Sequence, residues 1–191
     1  QGVDKVVELA RSDEHAKVRL GALQVLERMD SSWLLPTAEH MVVEDSEGRN
    51  REAALEVLRN KAEGSRIALV LASVLAGDRE ADMRLAAVQL LLAKQWRGAE
   101  KVLAKAALRD GAADVRRECR RALAVLGDEE HRAVLHRVLR DEPNKKFRLE
   151  TAELIENAPI KADRAALLAA LDDRYAKVAI SAARALVKLG D

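Results

Sequence analysis

The stretch DGAADVRRECRRALAVLGD, Asp110–Asp128, decides the fold. With Val115 as position zero, apolar or small residues stand at Val115, Cys119, Ala122, Leu123 and Leu126, an i, i+4, i+7, i+8, i+11 stripe. A helix of 3.6 residues per turn carries such positions on one side, so the stretch predicts an amphipathic helix that buries that side. An acid, Asp110, precedes the stripe by five residues and Arg116 follows its first member directly.

The same template fits five more times. Its zero positions are Val18, Asn50, Met83, Val115, Phe147 and Val178, a period of 31 to 33 residues. Position plus four holds Ala22, Ala54, Ala87, Cys119, Thr151 and Ala182, and plus eight holds Leu26, Leu58, Leu91, Leu123, Ile155 and Leu186. Counting back from Asp13, Asp45, Asp78, Asp110 and Glu142 exposes a second template, apolar or small at minus seven, four and three, as in Val6, Leu9 and Ala10. Each repeat is therefore a helical hairpin, and a period of this length predicts a stacked array in which a unit buries its stripe only against its neighbours. The expected repeats are 1–30, 31–63, 64–96, 97–127, 128–159 and 160–191, in one continuous domain.

Composition agrees. The 191 residues are 49% apolar yet include one Phe, one Tyr and two Trp, so the core is aliphatic. Ala and Leu favour helix, and three Pro with nine Gly leave little room for long loops. The fold class is all-α. No apolar run reaches 18 residues, so no membrane span is expected, and a cytoplasmic location follows as the expectation. The chain lacks an initiating Met, which reads as a segment of a longer protein.

Local signals mark the joints. Ser31, Ser65, Asp128 and Asp163 are expected to cap helices, Gly127 and Gly190 to end them with positive φ, and Pro36 to open or kink one. Trp33 and Trp96 fall between repeats, where they are expected to plug hairpin ends. Cys119 occupies a stripe position and reads as a small buried hydrophobe.

One polar spacing is as regular as the apolar one. Asp13 and Arg19, Asp45 and Arg51, Asp78 and Arg84, Asp110 and Arg116 are six apart, Glu142 and Arg148 keep the spacing, and Asp173 meets Ala179 instead. An acid in the turn can accept the N–H groups that open the second helix, and the arginine can reach the same or the adjacent turn, so the pairs form a structural ladder.

The Asp-x5-Arg spacing, the Val-Arg of DVRRECRRALAVLGD, the small residue at plus four and the closing Leu-Gly-Asp resemble HEAT repeats. The short period is closer to the HEAT-like repeats of bacterial scaffold proteins and of phycobilin lyases. This resemblance covers essentially the whole chain and implies a right-handed α-solenoid of six hairpins, with motif residues that build the solenoid and partners that vary. Repeat six, without the ladder arginine, and repeat two, with Asn50 at an apolar position, depart from the pattern.

Signatures of chemistry are absent. The sequence holds no Gly-rich phosphate loop, Cys pair, HExxH or GxSxG, and its four His lack metal-ligand spacing. The reading is therefore no enzyme, no cofactor and no metal; a lyase-like site for a chromophore or small ligand is a third alternative, carried by the resemblance alone. In a curved hairpin stack the second helices line the inner face through positions plus two, six and nine. The expected function is a scaffold that binds a protein or peptide there, through Leu85, Gln89, Leu92, Arg117 and Arg121. The alternative is nucleic acid. Residues 93–148 carry 15 basic and 9 acidic side chains, and Arg117, Arg120, Arg121, Lys145 and Lys146 could contact phosphates.

Overall fold

In a computed structural model that describes residues 2–190, twelve α-helices alternate with short turns, and no strand occurs among the described residues. The helices form two compact units, residues 1–99 and 100–191.

The first unit holds α1 (Gly2–Ser12), α2 (Ala16–Arg28), α3 (Leu34–Glu44), α4 (Gly48–Lys61), α5 (Ile67–Gly77) and α6 (Ala81–Lys94). Each odd helix packs on the even helix after it, α1 on α3 and α3 on α5, while α2 packs on α4 and α4 on α6. Two layers result, one of first helices and one of second helices. Between them the stripe residues Leu26, Leu58 and Leu91 are fully buried, with Ala38, Met41, Leu71 and Leu75 facing them. Burying each Leu or Met side chain contributes roughly 1.5–3 kcal/mol.

The second unit repeats the plan with α7 (Glu100–Arg109), α8 (Ala113–Leu126), α9 (Glu129–Asp141), α10 (Lys145–Asn157), α11 (Arg164–Ala170) and α12 (Ala176–Leu189). Again α7, α9 and α11 pack in series, as do α8, α10 and α12. Its core comprises Leu103, Val115, Cys119, Leu123, Leu135, Ile155, Leu167 and Val178. The last first-helix departs from the others: a 3₁₀ turn over Lys161–Asp163 precedes α11, which has only seven residues.

Several local expectations are corrected. Gly127 has φ −67°, so positive φ is not its reason for being glycine; a Cβ there would lie 2.5 Å from the Leu123 carbonyl oxygen and 3.3 Å from Arg132 Cγ. Gly190 does end α12 with φ 85°. Asp128 accepts the His131 N–H at 2.9 Å and caps α9, but Asp163 caps nothing downstream because its carboxylate is buried against α9. Trp96 is buried, whereas Trp33 is 45% exposed at the start of α3. Pro36 stands in the first turn of α3, where its missing N–H costs no helical bond. Asn50 can be buried because its amide donates to Ala16 O at 2.9 Å and to Asp45 at 3.0 Å, so both its N–H groups find acceptors.

Candidate interaction surface

The acid–arginine ladder ties neighbouring hairpins together within each unit. In every one of the six turns the acid accepts the backbone N–H two residues on: Asp13 from His15, Asp45 from Glu47, Asp78 from Glu80, Asp110 from Ala112, Glu142 from Asn144 and Asp173 from Tyr175, at 2.8–3.0 Å. Five times the arginine six residues later donates Nη1 to that acid's own carbonyl oxygen, as Arg19 does to Asp13 at 2.8 Å and Arg116 to Asp110 at 2.7 Å. In three of the five the remaining donors reach the next hairpin of the same unit. Arg19 binds Asp45 through Nε and Nη2 at 2.8 and 2.7 Å, Arg51 binds Asp78 at 2.7 and 3.2 Å, and Arg148 binds Asp173 at 2.7 and 3.0 Å. This forked geometry needs a planar guanidinium, which explains arginine rather than lysine.

Burial and pairing compete at these acids. Burial works to raise Asp45, yet hydrogen bonds from Arg19, the Glu47 N–H and Asn50 outweigh it and hold the carboxylate below its ordinary range. The Arg148 guanidinium does the same for Asp173. Ladder arginines are thus committed to structure.

A second buried cluster was missed in the sequence. Arg132 of α9 donates to Asp163 at 2.6 Å and to Ala158 O at 2.9 Å, and also to Ala124 O. His136 Nε2–H donates to the same carboxylate at 2.7 Å, and the Ile160 N–H at 2.8 Å. The 31-residue separation of Arg132 and Asp163 matches the repeat period, but no other hairpin carries this pair, so the spacing alone gave no signal. His136 also borders a groove of about 790 Å³ between α9 and α11, opened by the small Ala165, Ala166 and Ala169. Its charged rim is largely self-paired: Arg140 holds Asp141 at 2.8 Å and Arg148 holds Asp173. With Nε2 bound to Asp163, the imidazole fastens the turn.

The expected binding residues lie on second helices, within separate units. On α6, Gln89 is exposed, but Leu85 and Leu92 are half-buried rather than open, since neighbouring side chains cover part of each. On α8, Arg117 and Arg121 are exposed, each paired with an acid one turn back: Arg117 with Asp114 at 2.9 Å and Arg121 with Glu118 at 3.3 Å.

The phosphate-binding set is corrected at Arg120. This residue is only 4% exposed, its Nη2 lies 3.8 Å from Glu150, and its guanidinium is 5.7 Å from the Phe147 ring. Its Nε meets no acceptor, and burial lowers its pKa. Helical geometry accounts for this: position plus five faces the next second helix, as in buried Leu23, Leu55 and Ala152. Lys145 and Lys146 are exposed, with Lys145 5.0 Å over the Tyr175 ring.

Among the described residues no group of His, Cys, Asp and Glu is placed to hold a metal ion, and no helix is long and apolar enough to cross a membrane. Against known proteins the chain matches no family model and no curated sequence, so its likeness to HEAT repeats rests on its own internal repeat.

Proposed function

We propose that this chain is an interaction module of the HEAT-like α-solenoid class that binds a protein or peptide through the exposed faces of its second helices. The observation that carries this reading is the make-up of those faces. On α6, half-buried Leu85 and Leu92 flank exposed Gln89, and on α8, Arg117 and Arg121 stand beside Asp114 and Glu118. Apolar area on one helix and charges of both signs on another suit a polypeptide partner better than a uniform polyanion. Phosphate binding is the weaker reading, because Arg120 is buried and both neighbouring arginines already hold carboxylates.

Charge reversal at Arg117 and Arg121 tests both readings. Affinity capture from the source lysate, with and without nuclease, is compared for the unaltered chain and for the Arg117→Glu, Arg121→Glu variant. Protein binding predicts a defined partner that survives nuclease and is lost in the variant, with a melting temperature within a few degrees of the parent. Capture that vanishes with nuclease points to nucleic acid. Capture that the variant leaves intact removes α8 from the interface.

A further inference from the structure

The chain contains its own worked example of how one hairpin receives another. At Asp45, Asp78 and Asp173 the turn carboxylate accepts a backbone N–H from its own hairpin and a forked guanidinium from the hairpin before it. These three side chains are 1%, 3% and 9% exposed. Asp13 has the same turn, accepting the His15 N–H at 2.8 Å, and Arg19 of its own hairpin bonds its carbonyl oxygen, but among the described residues no guanidinium from another hairpin forks onto its carboxylate, which is 21% exposed with the His15 ring at 3.5 Å.

The helix behind Asp13 carries a matching apolar signal. Position zero of a second helix faces the preceding hairpin, as shown by Asn50, whose amide reaches Ala16 O of α2. That position is buried at Asn50, Met83 and Val178. At Val18 it is 40% exposed, and one turn-repeat along the same side Val25 is half-buried and Met29 is 55% exposed. An acceptor shaped for a guanidinium and an open apolar stripe therefore share one side of the first hairpin.

We propose that this side, formed by Asp13, Val18, Val25 and Met29, docks a helical segment whose apolar stripe is edged by an arginine, with the guanidinium seated on Asp13. Charge and shape select that occupant. The fork that fits Asp45 and Asp78 fits the identical Asp13 turn, and the stripe beside it requires apolar contact. A second copy stacked through its last hairpin does not satisfy the site, because the ladder position there is Ala179. This surface lies on a different side of the hairpin from the second-helix faces above, so the two readings stand or fall separately.

The test titrates the whole chain into a fluorescently labelled peptide reproducing α4, Gly48–Lys61, stapled on its exposed face so that it is helical by circular dichroism, whose Arg51 is the natural donor to Asp78. Saturable binding is expected by anisotropy. Asp13→Asn keeps the oxygen that accepts the His15 N–H and removes only the charge; it should weaken binding about tenfold or more. Arg51→Met in the peptide should weaken it equally, and the two changes together should cost little more than either, the mark of a direct pair. Val18→Glu should abolish binding, with the helical circular dichroism of both protein variants unchanged. No saturable binding by the unaltered chain, or equal binding by Asp13→Asn, overturns the proposal. So does self-association in sedimentation that Val18→Glu relieves and Asp13→Asn does not, since a second copy would then cover the face by apolar contact alone.

Discussion

Arg132 and Asp163 form an ion pair at 2.6 Å with side chains 2% and 0% exposed, so α9 is bolted to the segment before α11 by two charges that water does not reach. Such a pair is costly to break from one side, because the partner left behind is buried and uncompensated. Asp163→Ala should destabilise the chain by about 3–5 kcal/mol in urea unfolding. The double change Arg132→Met, Asp163→Leu should recover much of that loss; a double variant as unstable as Asp163→Ala would show that the charges themselves are not the cause.

Acid should unfold the protein through the same carboxylates. Asp45, Asp163 and Asp173 are each held below the ordinary carboxylate range in the folded chain. For a depressed group, the folded state binds fewer protons than the unfolded one, so the stabilisation is full above the unfolded pKa of about 3.9 and is lost as pH falls through the folded value. Melting temperature should be flat from pH 7 to about 5 and drop steeply below 4. Asp45→Asn should lower it at pH 7 and shallow the acid limb; an unchanged limb would place the pH dependence elsewhere.

Arg120 is the charge whose removal should help. Its Nε has no acceptor and Glu150 Oε2 no donor, while the equivalent Leu23 and Leu55 are ordinary core. Replacing a poorly satisfied buried ion by an apolar side chain is often stabilising by about 1–4 kcal/mol. Arg120→Leu should therefore raise the melting temperature, and a fall would mean that the contact with Phe147 outweighs the burial of the charge.

Glycine tolerance should follow close approach. Gly127→Ala drives a Cβ against the Leu123 carbonyl and the Arg132 stem, and should cost about 1–3 kcal/mol. Gly111 has open space around it and needs no positive φ, so Gly111→Ala should stay within about 0.5 kcal/mol of the parent. Denaturant midpoints of the two variants check the contrast.

The Cys119 thiol should be inert until the helices part. It is fully buried, and burial pushes its pKa up to about 12, so almost no thiolate exists at pH 8. Labelling by a disulfide reagent should proceed at the rate of opening of the second unit and accelerate in urea in step with loss of helix. Rapid labelling of the native chain would contradict this burial.

Periodic features were legible in the sequence because helical geometry fixes them locally. The stripe running from Val115 to Leu126 and the alternation of first and second helices follow from 3.6 residues per turn, the acid–arginine spacing recurs once per repeat, and only the last first helix, shortened to Arg164–Ala170 behind a 3₁₀ turn, departs from its template. Residues that face two directions were harder to assign. Arg120 reads as a surface cation in any list of charges, and Asp163 as a helix opener, because neither the neighbour at plus five nor the facing α9 is encoded within a single repeat. Leu85 and Leu92, read as open groove positions, are half covered for the same reason.

The sequence by itself determined the all-helical repeat, its period and the residues of its aliphatic core, since those depend on contacts within one hairpin. Tertiary structure decided which acid Arg19, Arg51 and Arg148 meet, that Arg132, His136 and Asp163 converge, and that no forked guanidinium from another hairpin sits on the Asp13 carboxylate among the described residues. These pairings join side chains 25 to 31 residues apart, at distances set by how one helix layer seats on the next, and no local periodicity carries that information.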